Sequence, residues 1–431
     1  MSGERAVDPA LVLDRVRELL GREGAAVEGG TPVARPVSVE QVSALVSVAG
    51  EAGWRVLPAG AGVGGGLLPS RGAGAADGLR PAPDLVVSTL GMVGVLEHEP
   101  ADLTFRARSG TTLAELQAVV GQARQWLALD PPGGGGVTLG GVVATGAAGP
   151  ARVLYGRPRD QLLGLTMIDG AGRTLSLGGR VVKNVAGFDL VRLAAGSRGT
   201  LGVITEVTFR LYPIPEEDRT LIWSRETLEE GWKLGRRLAT RPLPLTAAEM
   251  IGGNWAPPLD DTGYRAVLRL TGSATAVRRM REILLEDAGL PLREFKGEES
   301  SSVWTMLTEA DGAEGTTFRA HALPDRGAAL LPAMAELPLA RLALHLLHGS
   351  FRGSLSAGSG VQVLAPLTEP VRAAGGTLRL LRVEGDLPDA SVSRIEVGTD
   401  AGPAAGGLPA RIAAGFDPAG ILPGSWRERW A

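Results

Sequence analysis

The apolar positions in the first part of the chain change between helical and strand spacing. Apolar residues three or four positions apart predict a helix over residues 8–20, and Thr112 with Glu115 forms a capping-box pair that predicts the start of another. Short apolar runs predict strands over residues 54–58, 84–90, 94–97 and 103–107. Helices and strands therefore alternate in this part of the chain.

The pattern changes after Pro213, where a charged segment containing proline, residues 213–218, predicts a linker. Beyond it, helical spacing and alternating runs follow each other in a strand–helix–strand order that is typical of an α+β domain. Helices are predicted over residues 227–239, 276–288 and 404–414, and strands over residues 266–271, 317–323 and 342–347.

Glycine is concentrated between Asp130 and Pro213, where it interrupts apolar runs that we interpret as strands and short turns. Glycine has no Cβ atom, so it accepts positive φ angles and lets a ligand touch the main chain. This stretch therefore favours a surface that lies against a large ligand.

A second glycine cluster, residues 60–65, matches the GxGxxG pattern of dinucleotide-binding proteins. That pattern requires a helix directly after the glycines, but residues 66–72 contain a proline and more glycine, so a nicotinamide site of the Rossmann type is not favoured. Two interpretations stay open. One is a main-chain nest whose N–H groups hold a phosphate, and the other is a flexible surface loop.

Composition narrows the functional classes. The 431 residues suggest two domains, and 62 glycines together with 44% hydrophobic residues indicate a folded protein with many turns. The 44 basic and 47 acidic residues give a net charge of -3, which favours neither nucleic acid nor an anionic membrane as a partner. The chain has no cysteine, so redox chemistry requires an organic cofactor or metal centres in a partner subunit.

The expected location follows from two further patterns. The N-terminal residues lack the basic segment and apolar run of a signal peptide, and no run of about 18 apolar residues is present. We therefore expect a cytoplasmic protein without a transmembrane segment and without nucleic acid as a partner.

Three motifs carry a family resemblance. They are VLPAGAG (residues 56–62), KNVAGFD followed by GSRGTLGVITE (within residues 180–213), and FDPAGILPG (residues 416–424). With these motifs, residues 33–215 resemble the FAD-binding domain of the FAD-linked oxidases of the vanillyl-alcohol oxidase and p-cresol methylhydroxylase type. Within that superfamily, the chain is most similar to the FAD-binding (E) subunits of bacterial glycolate oxidases.

The resemblance implies an α+β fold. It consists of an FAD-binding domain of the p-cresol methylhydroxylase (PCMH) type with two α/β subdomains, an α+β cap domain with an antiparallel sheet, and a C-terminal segment that returns to the FAD-binding domain. The expected boundaries are residues 1–32 for an N-terminal helix and lead-in, 33–215 for the FAD-binding domain, 216–410 for the cap and 411–431 for the C-terminal segment.

The resemblance also implies which residues contact FAD. A first loop would supply Pro58, Gly60, Ala61, Gly62, Val63 and Gly64, and a second Pro132, Gly133, Thr138, Leu139, Gly140 and Gly141. The segment under the flavin would supply Ala144, Thr145 and Gly149, and the adenine side Gly196, Gly199, Thr200, Leu201, Gly202 and Ile204. Val63 lacks the hydroxyl that relatives often have there, which removes a hydrogen bond of about 1 kcal/mol. The alternative for the glycine pairs is a β-bulge or close packing without a ligand.

The resemblance also implies how FAD is attached and which subunits are partners of the chain. Covalent attachment in this superfamily uses a histidine or a similar residue, but no histidine or cysteine occurs at residues 55–90 or 99–320, so noncovalent FAD is expected. The resemblance implies a complex with a larger FAD-containing subunit, which bears the hydroxy-acid site, and an iron–sulfur subunit. Its substrate would be a small 2-hydroxy acid.

No catalytic residue and no metal site are identified in the sequence. His345 and His348 would lie on opposite faces of a strand but on one face of a helix, and two ordinary, partly buried histidines are the simpler interpretation. Arg319 and Arg352 are candidates for binding a carboxylate. Two alternative functions stay open: a self-sufficient FAD-dependent 2-hydroxy acid dehydrogenase, and a noncatalytic scaffold whose FAD pocket has decayed.

Overall fold

A computed structural model describes residues 7–62, 82–179, 188–260, 263–309, 315–382 and 407–423. The chain divides into two compact units. The first comprises residues 1–148, 157–214 and 402–431, and the second comprises residues 149–156 and 215–401. The second unit therefore includes a short segment, residues 149–156, that interrupts the sequence of the first unit.

The first unit begins with a mixed four-stranded sheet in the order β1-β2-β4-β3, in which β4 pairs in parallel with β2 and β3. Its elements are α1 (Pro9–Leu20), β1 (Ala25–Glu28), β2 (Thr31–Ala34), α2 (Val39–Ala52), β3 (Val56–Ala59) and β4 (Leu85–Ser88). Side chains of Asp8 and Ser38 accept hydrogen bonds from the first turns of α1 and α2, which fixes where both helices begin. Val12 and Val42 belong to the core of this subdomain.

The second subdomain of the first unit is a five-stranded antiparallel sheet in the order β5-β6-β10-β8-β9, and β11 pairs separately with β7. The capping box of Thr112 and Glu115 is present at the start of α3, as predicted. The elements are β5 (Val95–Glu99), β6 (Thr104–Arg108), α3 (Leu113–Gly121), β7 (Gln125–Trp126), α4 (Leu139–Thr145), α5 (Arg152–Tyr155, in the second unit), α6 (Pro158–Gln161), β8 (Leu162–Ile168), β9 (Thr174–Gly178), α7 (Leu190–Ala194), β10 (Val203–Arg210) and β11 (Tyr212–Pro213).

The interpretation of the glycine-rich stretch as strands and turns alone is wrong at α4. The Thr138 hydroxyl accepts a hydrogen bond from the N–H of Gly141 and so caps the helix. Leu139, Val142 and Val143 have helical spacing and are buried in the core of the second subdomain. Capping and burial together outweigh the low helix propensity of two glycines, about 1 kcal/mol each.

The second unit contains an eight-stranded antiparallel sheet in the order β15-β12-β14-β13-β17-β18-β16-β19. Its strands are β12 (Glu217–Arg225), β13 (Ala247–Gly253), β14 (Tyr264–Gly272), β15 (Arg293–Lys296), β16 (Thr317–His321), β17 (Leu339–His345), β18 (Ser350–Leu355) and β19 (Thr377–Arg382). Its further helices are α8 (Leu228–Ala239), α9 (Ala274–Ala288), α10 (Gly297–Glu309), α11 (Leu331–Ala335) and α12 (Ala365–Ala373).

The two faces of this sheet differ. One face packs on the large apolar core to which α8, α9, α11 and α12 contribute. On the other face, α10 covers β12 and β15, and Trp304 and Trp255 belong to a second, smaller core. Short 3-10 helices complete the fold at Thr89–Gly91, Pro100–Asp102, Gly134–Gly136, Gly327–Leu330 and Val361–Leu364.

The C-terminal segment returns to the first unit, as expected. After α13 (Leu408–Phe416), the Ile421 carbonyl accepts a hydrogen bond of 2.7 Å from the N–H of Val56. The carboxylate of Asp417 accepts hydrogen bonds from the N–H groups of Ile421 and Leu422, which holds the turn that precedes them. The predicted α+β class, with two α/β subdomains, an antiparallel-sheet domain and a returning C-terminus, is confirmed.

Candidate cofactor-binding cleft

The first unit contains a cleft of about 860 Å³, counting the part that is open to solvent. Its walls come from the end of β3, the loop that leads into α4, α4 itself and the loop that leads into β10. Many of the residues predicted to contact FAD line it: Pro58, Gly60, Ala61, Gly62, Pro132, Thr138, Gly140, Gly141, Ala144, Thr145, Gly199, Gly202 and Ile204.

The two predicted glycine loops meet in this cleft. A Cβ atom built on Gly60 would stand 2.3 Å from the Thr138 hydroxyl oxygen and 3.8 Å from the Cα atom of Gly141. Real Cβ atoms do not approach so closely, so only glycine allows this contact. The main chain of the first loop therefore lies directly against the second loop.

The N–H groups of the second loop are already bonded within the protein. Leu139 and Gly140 donate to the carbonyls of Thr111 and Ser109 at 2.9 and 2.8 Å, and Gly141 donates to the Thr138 hydroxyl at 3.2 Å. A Cβ atom on Gly140 would stand 2.6 Å from Cβ of Ser109, which agrees with the close-packing interpretation of this glycine. The second loop thus contributes a closely approaching main chain rather than N–H donors at these positions.

The loop before β10 is fixed against both of the others. The N–H groups of Gly196 and Arg198 donate to the carbonyls of Val143 and Ala144 at the end of α4, at 2.9 and 2.7 Å. Gly199 has a φ angle of +81°, and a Cβ atom there would stand 3.1 Å from the ring of Pro58. Arg198 is thereby held beside the first loop.

Arg198 is the one charged side chain among the described residues that line the cleft, and the sequence analysis missed it. Its φ angle is +54°, a left-handed conformation that is uncommon for a residue with a Cβ atom. Strained backbone of this kind persists where the surrounding structure requires it, and it is frequent at binding sites. A basic residue beside a glycine in the GSRGTLG motif was the signal that could have identified it.

The other unpredicted residues of the cleft wall are mostly apolar: Ala59, Thr89, Pro131, Val137, Val142, Ala147 and Val203. The Thr89 hydroxyl is buried and donates to the carbonyl of Ala59 at 3.2 Å. Several directly adjoin predicted residues in sequence, but an apolar side chain gives no local signal that distinguishes a cofactor wall from core packing. Walls of this kind are typical of pockets that bind large cofactors.

Several predicted residues do not line the cleft as described. Leu139 and Leu201 are buried in the subdomain core, and Gly149 lies in the second unit. Gly133, Gly196 and Thr200 lie in the adjoining loops and contribute no wall. Val63 and Gly64, with residues 180–187 of the KNVAGFD motif, lie outside the described residues. Contact of all these residues with FAD stays a prediction.

The two candidate histidines of the second unit are arranged in a way that neither simple pattern predicted. Strand β17 ends at His345, and the turn that follows brings the ring of His348 to a centroid distance of 4.5 Å. His345 is buried, its Nε2 lies 3.9 Å from a carboxylate oxygen of Glu249, and the carbonyl of Pro150 lies 3.4 Å away. Burial, with the charge of Arg152 next in importance, holds the pKa of His345 well below its usual value.

The arginines named as carboxylate ligands are neighbours on paired strands. Arg319 on β16 lies directly opposite Arg352 on β18. Arg352 also lies 3.6 Å from Glu249, whose side chain is completely buried. The structure therefore brings a carboxylate, an imidazole and guanidinium groups together on one face of the sheet in the second unit.

The fold and the cleft define a protein with an FAD-binding domain: residues 31–178 match the family described as FAD binding domain. No helix in the described parts of the chain is long and apolar enough to cross a bilayer. The fold is also that of alkyldihydroxyacetonephosphate synthase, with a TM-score of 0.67 at 16% identity over 97% of this chain and 87% of that chain.

Particular relatives are more similar in sequence. The Escherichia coli (strain K12) glycolate oxidase subunit GlcE is 38% identical over 194 residues, which are 44% of this chain and 51% of the relative. The D-lactate dehydrogenase of Archaeoglobus fulgidus is 32% identical over 216 residues, 49% of this chain and 46% of the relative. The chain spans about half the length of these curated relatives. The predicted resemblance to FAD-linked oxidases is confirmed.

The residues of the cleft fit FAD. The mostly apolar walls suit a flat aromatic ring system, and Gly60 brings bare main chain against the Thr138 hydroxyl at the point where both loops meet. Arg198 supplies positive charge for a diphosphate that carries about two negative charges. With the family match, FAD is confirmed as the cofactor.

Proposed function

We propose that this chain is the FAD-binding subunit of a cytoplasmic complex of the glycolate oxidase type, which oxidises a 2-hydroxy acid such as glycolate to the 2-oxo acid. Its proposed partners are a larger FAD-containing subunit, which bears the hydroxy-acid site, and an iron–sulfur subunit. The observation that carries this proposal is the 38% identity with a subunit of E. coli glycolate oxidase. The cleft supports the cofactor part of it.

The composition of the chain supports the division of labour. The sequence contains no cysteine, so iron–sulfur clusters of the complex would be bound by another subunit. In such a complex, FAD supplies the chemistry of accepting a hydride and passing electrons onward, which side chains lack.

The residues of this chain would bind and orient the cofactor. The contact between Gly60 and Thr138 fixes the two loops, and the Thr138 cap keeps α4 in place beside them. Arg198 would balance negative charge, while the buried Val142 and Val203 would exclude water from the ring. Proton transfer from the hydroxy acid is assigned to the larger subunit.

The alternative of a self-sufficient dehydrogenase is favoured by one observation. A base for the hydroxyl and a cation for the carboxylate are what oxidation of a 2-hydroxy acid requires. His345 and Arg352 both lie near Glu249 in the second unit, so groups of both kinds occur in this chain.

Spectra of the purified protein test these functions. We expect the chain alone to show a flavin band that glycolate and D-lactate leave unchanged under anaerobic conditions, and the complex with both partner subunits to be bleached. Bleaching of the chain alone would support the self-sufficient dehydrogenase. A preparation without a flavin band, even after addition of FAD, would support the noncatalytic scaffold.

A further inference from the structure

The C-terminal segment contacts the turn between β8 and β9 at Gly170. The N–H of Gly170 donates to the carbonyl of Phe416 at 2.7 Å. A Cβ atom on Gly170 would stand 2.5 Å from Oδ1 and 2.8 Å from Cα of Asp417. The second of these atoms belongs to the main chain, so rotation of a side chain could not relieve the clash. Only glycine at this position lets the segment lie so close to the turn.

This turn is fixed internally and adjoins one wall of the FAD cleft. The carboxylate of Asp169 is buried and accepts hydrogen bonds from the N–H groups of Ala171 and Arg173 at 3.0 and 2.9 Å. Ile168, directly before the turn, pairs with Val203 on the neighbouring strand β10. Val203 lines the cleft. A displacement of the turn would therefore be transmitted to this wall through a single strand pair.

The same segment is bonded to the strand that forms the opposite wall. The carbonyl of Ile421 accepts a hydrogen bond from Val56, the first residue of β3, and Pro58 on this strand lines the cleft. The buried carboxylate of Asp417 accepts from the N–H groups of Ile421 and Leu422 at 3.0 and 2.9 Å. Both apolar side chains belong to the core of the first subdomain. Asp417 therefore holds the segment in the shape that connects the two walls.

We propose that Asp417 is a positioning residue for FAD, because it sets the distance between the two walls of the cleft. Neither Asp417 nor Gly170 lines the cleft, so both act through the strands to which the segment is bonded. Separation matters, since a gap of about 0.5–1 Å already loses roughly a quarter to a half of the van der Waals energy of a contact. The inference goes beyond the proposed function, because it concerns the affinity for the cofactor and not the reaction or the partner subunits.

Binding of FAD must also act on the segment. If the segment raises the affinity for FAD, then FAD stabilises the bonded position of the segment by the same factor. In the wild-type protein, we expect saturating FAD to slow hydrogen exchange at the N–H groups of Ile421 and Leu422 by about tenfold or more, and to slow exchange at Val12 and Val16 on α1 less. Unchanged exchange at Ile421 and Leu422 would overturn the proposal.

Fluorescence titration of full-length variants with FAD measures the effect on affinity. We expect Asp417→Ala to raise the dissociation constant by about tenfold or more, because two N–H groups lose their acceptor. Asp417→Asn keeps one oxygen as an acceptor, so its dissociation constant should lie between those of Asp417→Ala and the wild type. Gly170→Ala should raise the dissociation constant about tenfold, since the methyl group displaces the segment. If Asp417→Ala does not fold, Asp417→Asn and the exchange rates decide.

Two control variants separate positioning from a loss of stability. Gly415→Ala adds a methyl group to the same segment, where a Cβ atom meets nothing within 4 Å, and should leave the FAD affinity unchanged. Val12→Ala removes two methyl groups from the core of the first subdomain, so it should lower the free energy of unfolding in urea without changing the FAD affinity. Wild-type FAD affinity in Asp417→Ala and Gly170→Ala would contradict the proposal, and so would an equal loss of affinity in Val12→Ala.

Discussion

Gly60 lies so close to Thr138 that a Cβ atom on residue 60 would stand 2.3 Å from the threonine hydroxyl oxygen. The same hydroxyl accepts the hydrogen bond that caps α4. One contact thus joins the end of a parallel strand in the first subdomain to the start of a helix in the second. The shape of the FAD cleft depends on it, because both residues line the cleft.

We predict that Gly60→Ala weakens FAD binding by at least tenfold and lowers the free energy of unfolding by about 1–3 kcal/mol, because the methyl group displaces the Thr138 cap. Flavin fluorescence titration and urea unfolding measure the two effects. Gly121→Ala is the control, since a Cβ atom there meets nothing within 4 Å. Wild-type affinity in Gly60→Ala would show that the two loops do not fix the cofactor.

Arg198 should contribute affinity through its charge. We expect Arg198→Gln to raise the dissociation constants of FAD and ADP by about tenfold, and to leave that of riboflavin, which lacks the diphosphate, unchanged. The difference in FAD affinity between Arg198→Gln and the wild type should decrease as salt is added, because Arg198 is only partly buried and its charge is screened.

Two further variants separate charge from backbone strain at this position. Arg198→Gly removes the charge and suits the φ angle of +54°, so it should weaken FAD binding as much as Arg198→Gln without loss of stability. Arg192→Gln removes an exposed arginine of α7 and should change neither property. An equal loss of riboflavin affinity in Arg198→Gln would contradict a role at the diphosphate.

Noncovalent attachment predicts that denaturation releases the flavin. After precipitation with acid, we expect all of the yellow colour in the supernatant, with the mass of FAD, and a protein band without flavin fluorescence on a denaturing gel. The reason is that no histidine or cysteine occurs at residues 55–90 or 99–320. Flavin that stays with the precipitated protein would identify a covalent link through a different residue type.

His345 should make the second unit less stable in acid. Burial, followed by the influence of Arg152, His348 and Arg352, holds its pKa well below 6.5, and these effects outweigh the nearby carboxylate of Glu249. The unfolded chain therefore binds a proton at a higher pH than the folded chain does. The contribution of His345 to the free energy of unfolding is therefore fully present above pH 6.5. It is lost as the pH decreases toward the pKa of the folded state.

For this histidine alone, we expect the free energy of unfolding to fall by about 1.4 kcal/mol when the pH is lowered from 7.5 to 5.5. Urea unfolding at the two values, followed by tryptophan fluorescence, measures it. His345→Gln should remove this part of the pH dependence, while His98→Gln in the first unit should retain it. The same pH dependence in His345→Gln and in the wild type would assign the acid sensitivity to other groups.

Local sequence signals identified those helices whose ends and apolar faces are set by residues close in sequence. Thr112 and Glu115 form the capping box that they predict, and Asp189 caps α7 as its position before Leu190 suggests. Long helices with clear apolar spacing, such as Thr227 to Ala239, were found within one or two residues. The short helix α4 was missed, because its glycines obscured an apolar pattern that tertiary burial supports. Helices α10 and α12 were not predicted either.

The sequence by itself determined the α+β class, the FAD-binding motifs and the absence of cysteine, since motif order, spacing and composition are properties of the chain alone. Only the tertiary structure decided that Gly60 touches Thr138, that Arg198 lines the cleft and that His345 meets His348. The physical reason is that these contacts join segments through strand pairing, turn geometry and packing. No local pattern records the distance between residues that meet in this way.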